Sequence, residues 1–157
     1  MGGKSMTYSL SVPLYGVFKY KMNDKGLTDL EWLDGIKTEG DENDPLGLGD
    51  LLKRYFIGER INFGDIPIDY GNINSTYRRI LEIVRSIPYG KVHTYSEIGE
   101  MIGKPRYARV VGNAMRINPC PIVIPCHRVI GKNGLGGYGF GIQKKLLLLK
   151  LEGVMVC

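Results

Sequence analysis

Residues 94–119 read TYSEIGEMIGKPRYARVVGNAMRINP. Thr94-Tyr95-Ser96-Glu97 has the form of a capping box, in which the threonine oxygen satisfies an orphan N–H and the glutamate reaches back to the threonine backbone. The spacing predicts a short helix from there to about Ile102, closed by Gly103. Pro105 suits the first turn of a second helix, which Asn118-Pro119 ends. A short helix, a tight glycine-containing turn and a second helix form a helix-turn-helix pattern. On the second helix Tyr107, Val110, Val111 and Ala114 recur at core-facing spacing, whereas Arg106, Arg109, Asn113 and Arg116 fall on the other face. Such a face can neutralise phosphates and reach base edges, or it can simply be solvated.

Upstream of this stretch, Ile73, Tyr77, Ile80, Leu81, Val84 and Ile87 form one apolar helical stripe that Pro88 stops. Residues 14–22 and 27–33 are rich in aromatic and branched side chains, and Asn23-Asp24-Lys25-Gly26 between them is hairpin chemistry. Residues 38–47 form an acidic loop. Leu48, Leu51, Leu52, Tyr55 and Phe56 then recur at helical spacing up to Gly58. The Gly, Pro, Asp and Asn mixture of 59–74 predicts a linker. The expected fold class is therefore α+β: a small N-terminal antiparallel sheet with one helix over residues 1–70, and a mostly helical domain over 74–157.

Net charge is +5, unevenly spread. Residues 1–74 carry 8 Lys/Arg and 12 Asp/Glu, and residues 75–157 carry 13 and 4. A basic half of +9 beside an acidic half of −4 points to a polyanion partner, most simply nucleic acid. The longest apolar run, Leu146 to Leu149, is far too short to span a bilayer, so no membrane partner is expected. Three cysteines (Cys120, Cys126, Cys157) and no signal peptide predict free thiols in a reducing compartment. The expected location is the cytoplasm, or the nucleus or nucleoid with DNA. Two histidines, with no CxxC or HxxxH spacing, make a metal site unexpected.

Residues 118–131 read NPCPIVIPCHRVIG. Cys126 lies between Pro125 and His127, with Arg128 next. A thiol attacks as its thiolate, which neighbouring cationic or imidazole groups favour. His127 is a candidate proton acceptor and Arg128 a candidate source of positive potential. Local chemistry leaves a buried inert cysteine open as the alternative. His93 reads as a surface or packing histidine and Cys120 as an apolar filler.

Pro125-Cys126-His127-Arg128-Val129 resembles the active-site PCHRV of the O6-alkylguanine-DNA alkyltransferase family, the methylated-DNA–protein-cysteine methyltransferases. Ile87-Pro88-Tyr89-Gly90-Lys91-Val92 with Thr94-Tyr95 resembles the family's IPxGxVxxY stretch. Ala108 to Gly112 with Ala114-Met115 resembles its ARAVGxAM helix. Asn118-Pro119 with Pro121, Gly136-Gly137-Tyr138 and Leu151-Glu152-Gly153 resemble its NPxP turn, GGY loop and LEG ending. The likeness runs in order over roughly residues 75–153.

The resemblance implies a ribonuclease-H-like N-terminal roll and a winged-helix-like C-terminal domain. It implies DNA repair by irreversible, single-use transfer of an alkyl group from guanine O6 to Cys126. His127 would be general base through a water, oriented by Glu152. Tyr95 would donate to the departing guanine, and Asn118 would brace the cysteine turn. Arg109 would fill the space left by the flipped nucleotide. The carbonyls of Cys126 and Val129 would accept from the guanine amino group. Tyr138 and the N–H of Gly139 would border O6, and Lys145 would support the pocket. No cofactor is implied. The partner would be double-stranded DNA containing O6-alkylguanine, bound by a monomer. Two departures stand out: Tyr107 where the family often has a small residue, and Gly139 in place of a frequent serine. A non-catalytic binder of alkylated DNA and a cysteine hydrolase using Cys126, His127 and Glu152 are the competing readings.

Overall fold

The computed structural model describes residues 4–35 and 43–155. It divides into two compact units, Met1–Gly71 and Asn72–Cys157. The architecture is α+β, with an antiparallel sheet in the first unit and most of the helices in the second.

The first unit holds a three-stranded sheet in the order β1 (Met6–Val12), β2 (Gly16–Asn23), β3 (Gly26–Leu33). The hairpin between β2 and β3 turns on Asn23, whose Oδ1 accepts from the backbone of Lys25 and Gly26. Gly26 has φ +145, and a Cβ there would meet the Pro67 carbonyl oxygen at 2.5 Å or less. Helix α1 (Leu48–Phe56) packs Phe56 against Phe18 and Trp32, with ring centroids 5.2 and 5.5 Å apart. The Asp44 carboxylate accepts from Leu48 N and Gly49 N at 2.9 and 2.8 Å, and so caps α1 from outside the helix.

Three features of this unit differ from expectation. Strand β1 was not among the expected elements, although Met6, Tyr8, Leu10 and Val12 alternate with Thr7, Ser9 and Ser11 at the strand period. Leu14 is not in a strand: it takes φ +73 in the turn between β1 and β2. Residues 59–70 are not a linker. Leu27 and the 67–69 segment exchange backbone hydrogen bonds of 2.8 and 2.9 Å, and Ile61, Phe63, Ile66 and Tyr70 are buried. The apolar side chains spaced through that segment outweigh its turn-forming residues. Residues 36–42, which include half of the expected acidic loop, and Cys157 lie outside the described residues.

The second unit contains α2 (Ser75–Arg85), α3 (Tyr95–Met101), α4 (Ala108–Arg116) and α5 (Ile142–Leu151). Helix α2 is capped by Asn74, whose side chain accepts from Tyr77 N, and buries Ile80, Leu81 and Val84. Both halves of the Thr94–Glu97 capping box are formed, at 3.1 and 3.0 Å. Helices α3 and α4 pack together across the connection 102–107, an arrangement in keeping with a helix-turn-helix. Pro105 lies in this connection rather than in the first turn of α4. Val111 and Ala114 are buried, whereas Tyr107 and Val110 are only half-buried. Two short strands, β4 (His93–Thr94) and β5 (Val129–Ile130), pair in parallel. They join the start of α3 to the segment just after Cys126. No helix among the described residues is long and apolar enough to cross a membrane.

Thr94→Ala removes one half of the capping box and should cost about 1 kcal/mol. The expected readout is a lower urea midpoint at unchanged slope; an unchanged midpoint would remove the cap from the list of supports for α3.

Candidate active site

Residues 118–126 form a turn that delivers Cys126 to a cavity. Asn118 Nδ2 donates to the Ile124 carbonyl at 3.0 Å, and Asn118 Oδ1 accepts from Cys120 N at 3.0 Å. This brace spans Ile122, a β-branched residue at φ +76, where the backbone is strained. Cys126 opens a single 3-10 turn, Cys126–Arg128, that runs directly into β5. Its side chain is 7% exposed and faces a cavity of about 510 Å³. Helix α4 supplies one wall through Ala108, Arg109, Gly112, Met115 and Arg116. Tyr95 and the loop Gly137–Tyr138–Gly139 supply the rest.

Of the residues singled out in the sequence, Cys126, Tyr95, Arg109, Arg116, Tyr138 and Gly139 meet at this cavity. Asn118, His127, Val129, Lys145 and Glu152 do not line it. Four of these five are fully or almost fully buried, and Asn118 is half-buried. Arg106 is exposed and away from the cavity lining, and Asn113 pairs with Arg116. The sequence reading missed Ala108, Gly112 and Met115 as cavity residues. Their spacing from Arg109 and Arg116 on one helix would have placed them there.

Behind Cys126 lies a buried polar cluster. The Glu152 carboxylate accepts from Arg128 Nε and Nη2 at 2.8 and 2.9 Å, and from Gly90 N at 3.1 Å. It also lies 2.7 Å from His127 Nε2. Arg128 Nη1 donates to the Ile87 carbonyl at 2.7 Å. Arg128 is thus neutralised by Glu152 and does not supply the thiol with the positive potential expected of it. A carboxylate only accepts, so Nε2 of His127 carries a proton and Nδ1 keeps its lone pair. Nδ1 is buried and has no hydrogen-bond partner. Burial, with Arg128 and Lys145 adding to it, holds His127 below its ordinary range and therefore neutral.

Burial pushes the Cys126 thiol up to about 11, against the opposing pull of Asn118 and Lys145. The expectation of a thiol lowered by His127 and Arg128 is therefore corrected: a buried, apolar-walled sulfur resists ionisation. Burial also raises the Tyr95 phenol, which keeps its proton and can donate. Gly136, at φ +74, lets the loop approach that tyrosine; a Cβ there would lie 2.6 Å from the Tyr95 hydroxyl oxygen. The carbonyl of Val129 accepts from Lys145 Nζ at 2.7 Å, and that of Cys126 accepts from Val129 N. His93 pairs with Glu97 at 3.2 Å on α3, and Cys120 is fully buried.

Glu152→Gln leaves the Arg128 cation buried without its anion and should cost about 3–5 kcal/mol. Burial pushes the Glu152 carboxyl up, but its bonds to His127 and Arg128 together outweigh this and hold it well below the ordinary range. The stability it adds is therefore present above an unfolded value of about 4.3 and is lost as pH falls further. Urea unfolding of both proteins should show a wide gap at pH 7 that narrows in acid; equal stability at pH 7 would refute the account.

The family model for the DNA-binding domain of 6-O-methylguanine DNA methyltransferase matches residues 75–154. A methylated-DNA–protein-cysteine methyltransferase of Metallosphaera sedula is 45% identical over 116 residues, which are 74% of this chain and 72% of that one. The protein of that name from Saccharolobus islandicus is 36% identical over 154 residues, 96% of this chain and 98% of the relative. The crystal structure of Mycobacterium tuberculosis OGT in complex with DNA is similar at a TM-score of 0.80 and 37% identity, covering 94% of this chain and 92% of that one. A braced cysteine beside an arginine-bearing helix is thus accompanied by likeness along most of the sequence, and the chain belongs to the methylated-DNA–protein-cysteine methyltransferase family.

Proposed function

We propose that this protein repairs duplex DNA by moving an alkyl group from guanine O6 onto Cys126 Sγ. The observation that carries this reading is the placement of Cys126 in one cavity with Tyr95 and with Arg109 of α4. The cavity's volume is within the range of small-ligand pockets.

An alkyl group on O6 is inside the base stack, so the nucleotide has to swing out before a buried sulfur can reach it. Unstacking costs a few kcal/mol, which an inserted side chain and a close-fitting pocket offset. Arg109 is exposed on α4 and borders the cavity, which suits it to fill the gap in the duplex. Arg116 and Arg106, both exposed, would neutralise phosphates beside it.

In the chemical step the sulfur lone pair attacks the alkyl carbon. An S–C bond forms, the C–O6 bond breaks, and its electron pair passes to the guanine. The thiol proton goes to neutral His127, whose Nδ1 lone pair is free, by way of a water; Glu152 stabilises the imidazolium that results. Negative charge developing on the guanine is met by the Tyr95 hydroxyl and the Gly139 N–H. Forming the thiolate only when a base and substrate fill the cavity fits a thiol that burial holds protonated. The thioether product has no good leaving group, so each molecule acts once. The reading requires one copy of the chain per lesion, no cofactor and access to chromosomal DNA.

Duplex DNA carrying labelled O6-methylguanine should pass its label to the protein with at most one equivalent, and mass spectrometry should find one methyl on Cys126. Cys126→Ala should abolish transfer. Tight binding with no transfer would instead identify a non-catalytic binder, and repeated turnover would exclude the single-use mechanism. Arg109→Ala should slow repair in duplex DNA by at least tenfold while leaving reaction with free O6-benzylguanine within about threefold, since only the duplex needs a base held out of the stack. Equal losses on both substrates would remove Arg109 from base extrusion.

A further inference from the structure

Lys145 on α5 is 0% exposed, and its Nζ donates to the Val129 carbonyl at 2.7 Å and the Gly137 carbonyl at 2.9 Å. Both acceptors are neutral. Among the described residues no carboxylate pairs with it; Glu152, the buried acid of this unit, is engaged by His127 and Arg128. A buried ammonium without an anion is costly. The structure brings a latent anion towards it in the Cys126 sulfur: the carbonyls it binds belong to Val129, which follows the Cys126–Arg128 turn, and to Gly137, which lines one cavity with Cys126. Of the other titratable groups near the sulfur, His127 is neutral, Arg128 is matched by Glu152, and Tyr138 and Tyr95 are protonated phenols; Arg109 and Arg116 border the same cavity but are exposed on α4, where solvent screens their charge.

We propose that Lys145 is the counter-charge of the Cys126 thiolate, a positioning residue that also clips the Gly137 wall of the cavity to Val129. The inference rests on the reading of Cys126 as the alkyl acceptor. It assigns to α5 the role that sequence proximity had suggested for Arg128. Burial lowers Lys145 to about 8, and the sulfur's negative charge opposes that fall. The two groups are therefore linked: losing the lysine charge makes the thiolate harder to form, and losing the thiolate makes the lysine easier to deprotonate. Conversion of Cys126 to a thioether removes the ionisable sulfur for good, so in the spent protein no anion can form beside the Lys145 ammonium.

The test uses iodoacetamide, which alkylates a thiolate without DNA or guanine, so its outcome is independent of whether guanine is the physiological donor. Rates of Cys126 modification are followed against pH by mass spectrometry for the full chain and for Lys145→Met. The expected result is a thiol titration shifted up by at least one pH unit in Lys145→Met, a tenfold or greater slowing at pH 7. A superimposable pH profile in a folded variant overturns the proposal. A second measurement needs no variant. The wild-type modification rate is followed across the alkaline range: it should climb about tenfold per pH unit up to about 8, where Lys145 loses its proton, and level off above that pH, because the thiolate is then deprived of its counter-charge. A rate that climbs through pH 8 without a break overturns the proposal even where Lys145→Met fails to fold.

Discussion

The Glu152 carboxylate holds the site together. It stands at the C-terminal end of α5 and receives hydrogen bonds from Arg128 and from the Gly90 backbone, beside the His127 ring. Two stretches far from it in the chain, at Gly90 and at His127–Arg128, are thereby pinned to one buried acid. Each partner satisfies a group that would otherwise be costly to bury, so the cluster is stable as a whole and fragile in its parts. The Cys126 turn inherits its position from this arrangement, because the two residues after the cysteine are both held by Glu152. The same contact fixes the proton on Nε2 of His127 and leaves Nδ1 as the basic atom.

Around that anchor the charges are sorted by depth. Arg106 in the connection before α4, and Arg109 and Arg116 on its exposed face, lie where a polyanion can reach them. The next shell is the cavity, whose walls are largely apolar apart from two phenols and the arginine edge. Behind it the buried cations are either matched, as Arg128 is, or bound to neutral carbonyls, as Lys145 is. Desolvation dominates the thiol, the phenols and the imidazole, which sit in their uncharged forms, whereas the bonds from His127 and Arg128 outweigh it at Glu152.

How much of this could be read beforehand follows the range of the interactions. The Thr94–Glu97 box, the Gly26 hairpin and the span of α1 depend on neighbours a few residues away, and they were legible as strings. The pairing of Leu27 with residues 67–69 joins segments some forty residues apart, and a composition typical of loops concealed it. Strand β1 was legible by the same local rule, since Met6, Tyr8, Leu10 and Val12 alternate with Thr7, Ser9 and Ser11, although it was not among the expected elements. At the site, Cys126 and Arg109 were visible from motif and helix face. The neutralisation of Arg128 was not, because its partner Glu152 is 24 residues away. Proximity in the chain suggested the wrong cation beside the sulfur; the fold supplies one from α5.

The parallel pairing of His93 with Val129 and Thr94 with Ile130 is only two residues long, yet it lies between Tyr95 and Cys126. It works as a ruler: Tyr95 directly follows one strand, and Cys126 shortly precedes the other. A slip of one residue would displace one side by about 3.3 Å and turn its side chain to the opposite face. Insertions and deletions are therefore barred from the few residues flanking this ladder. The exposed tip at Lys132–Gly134 has no such duty, and it is where the chain has room to lengthen or carry a fused label.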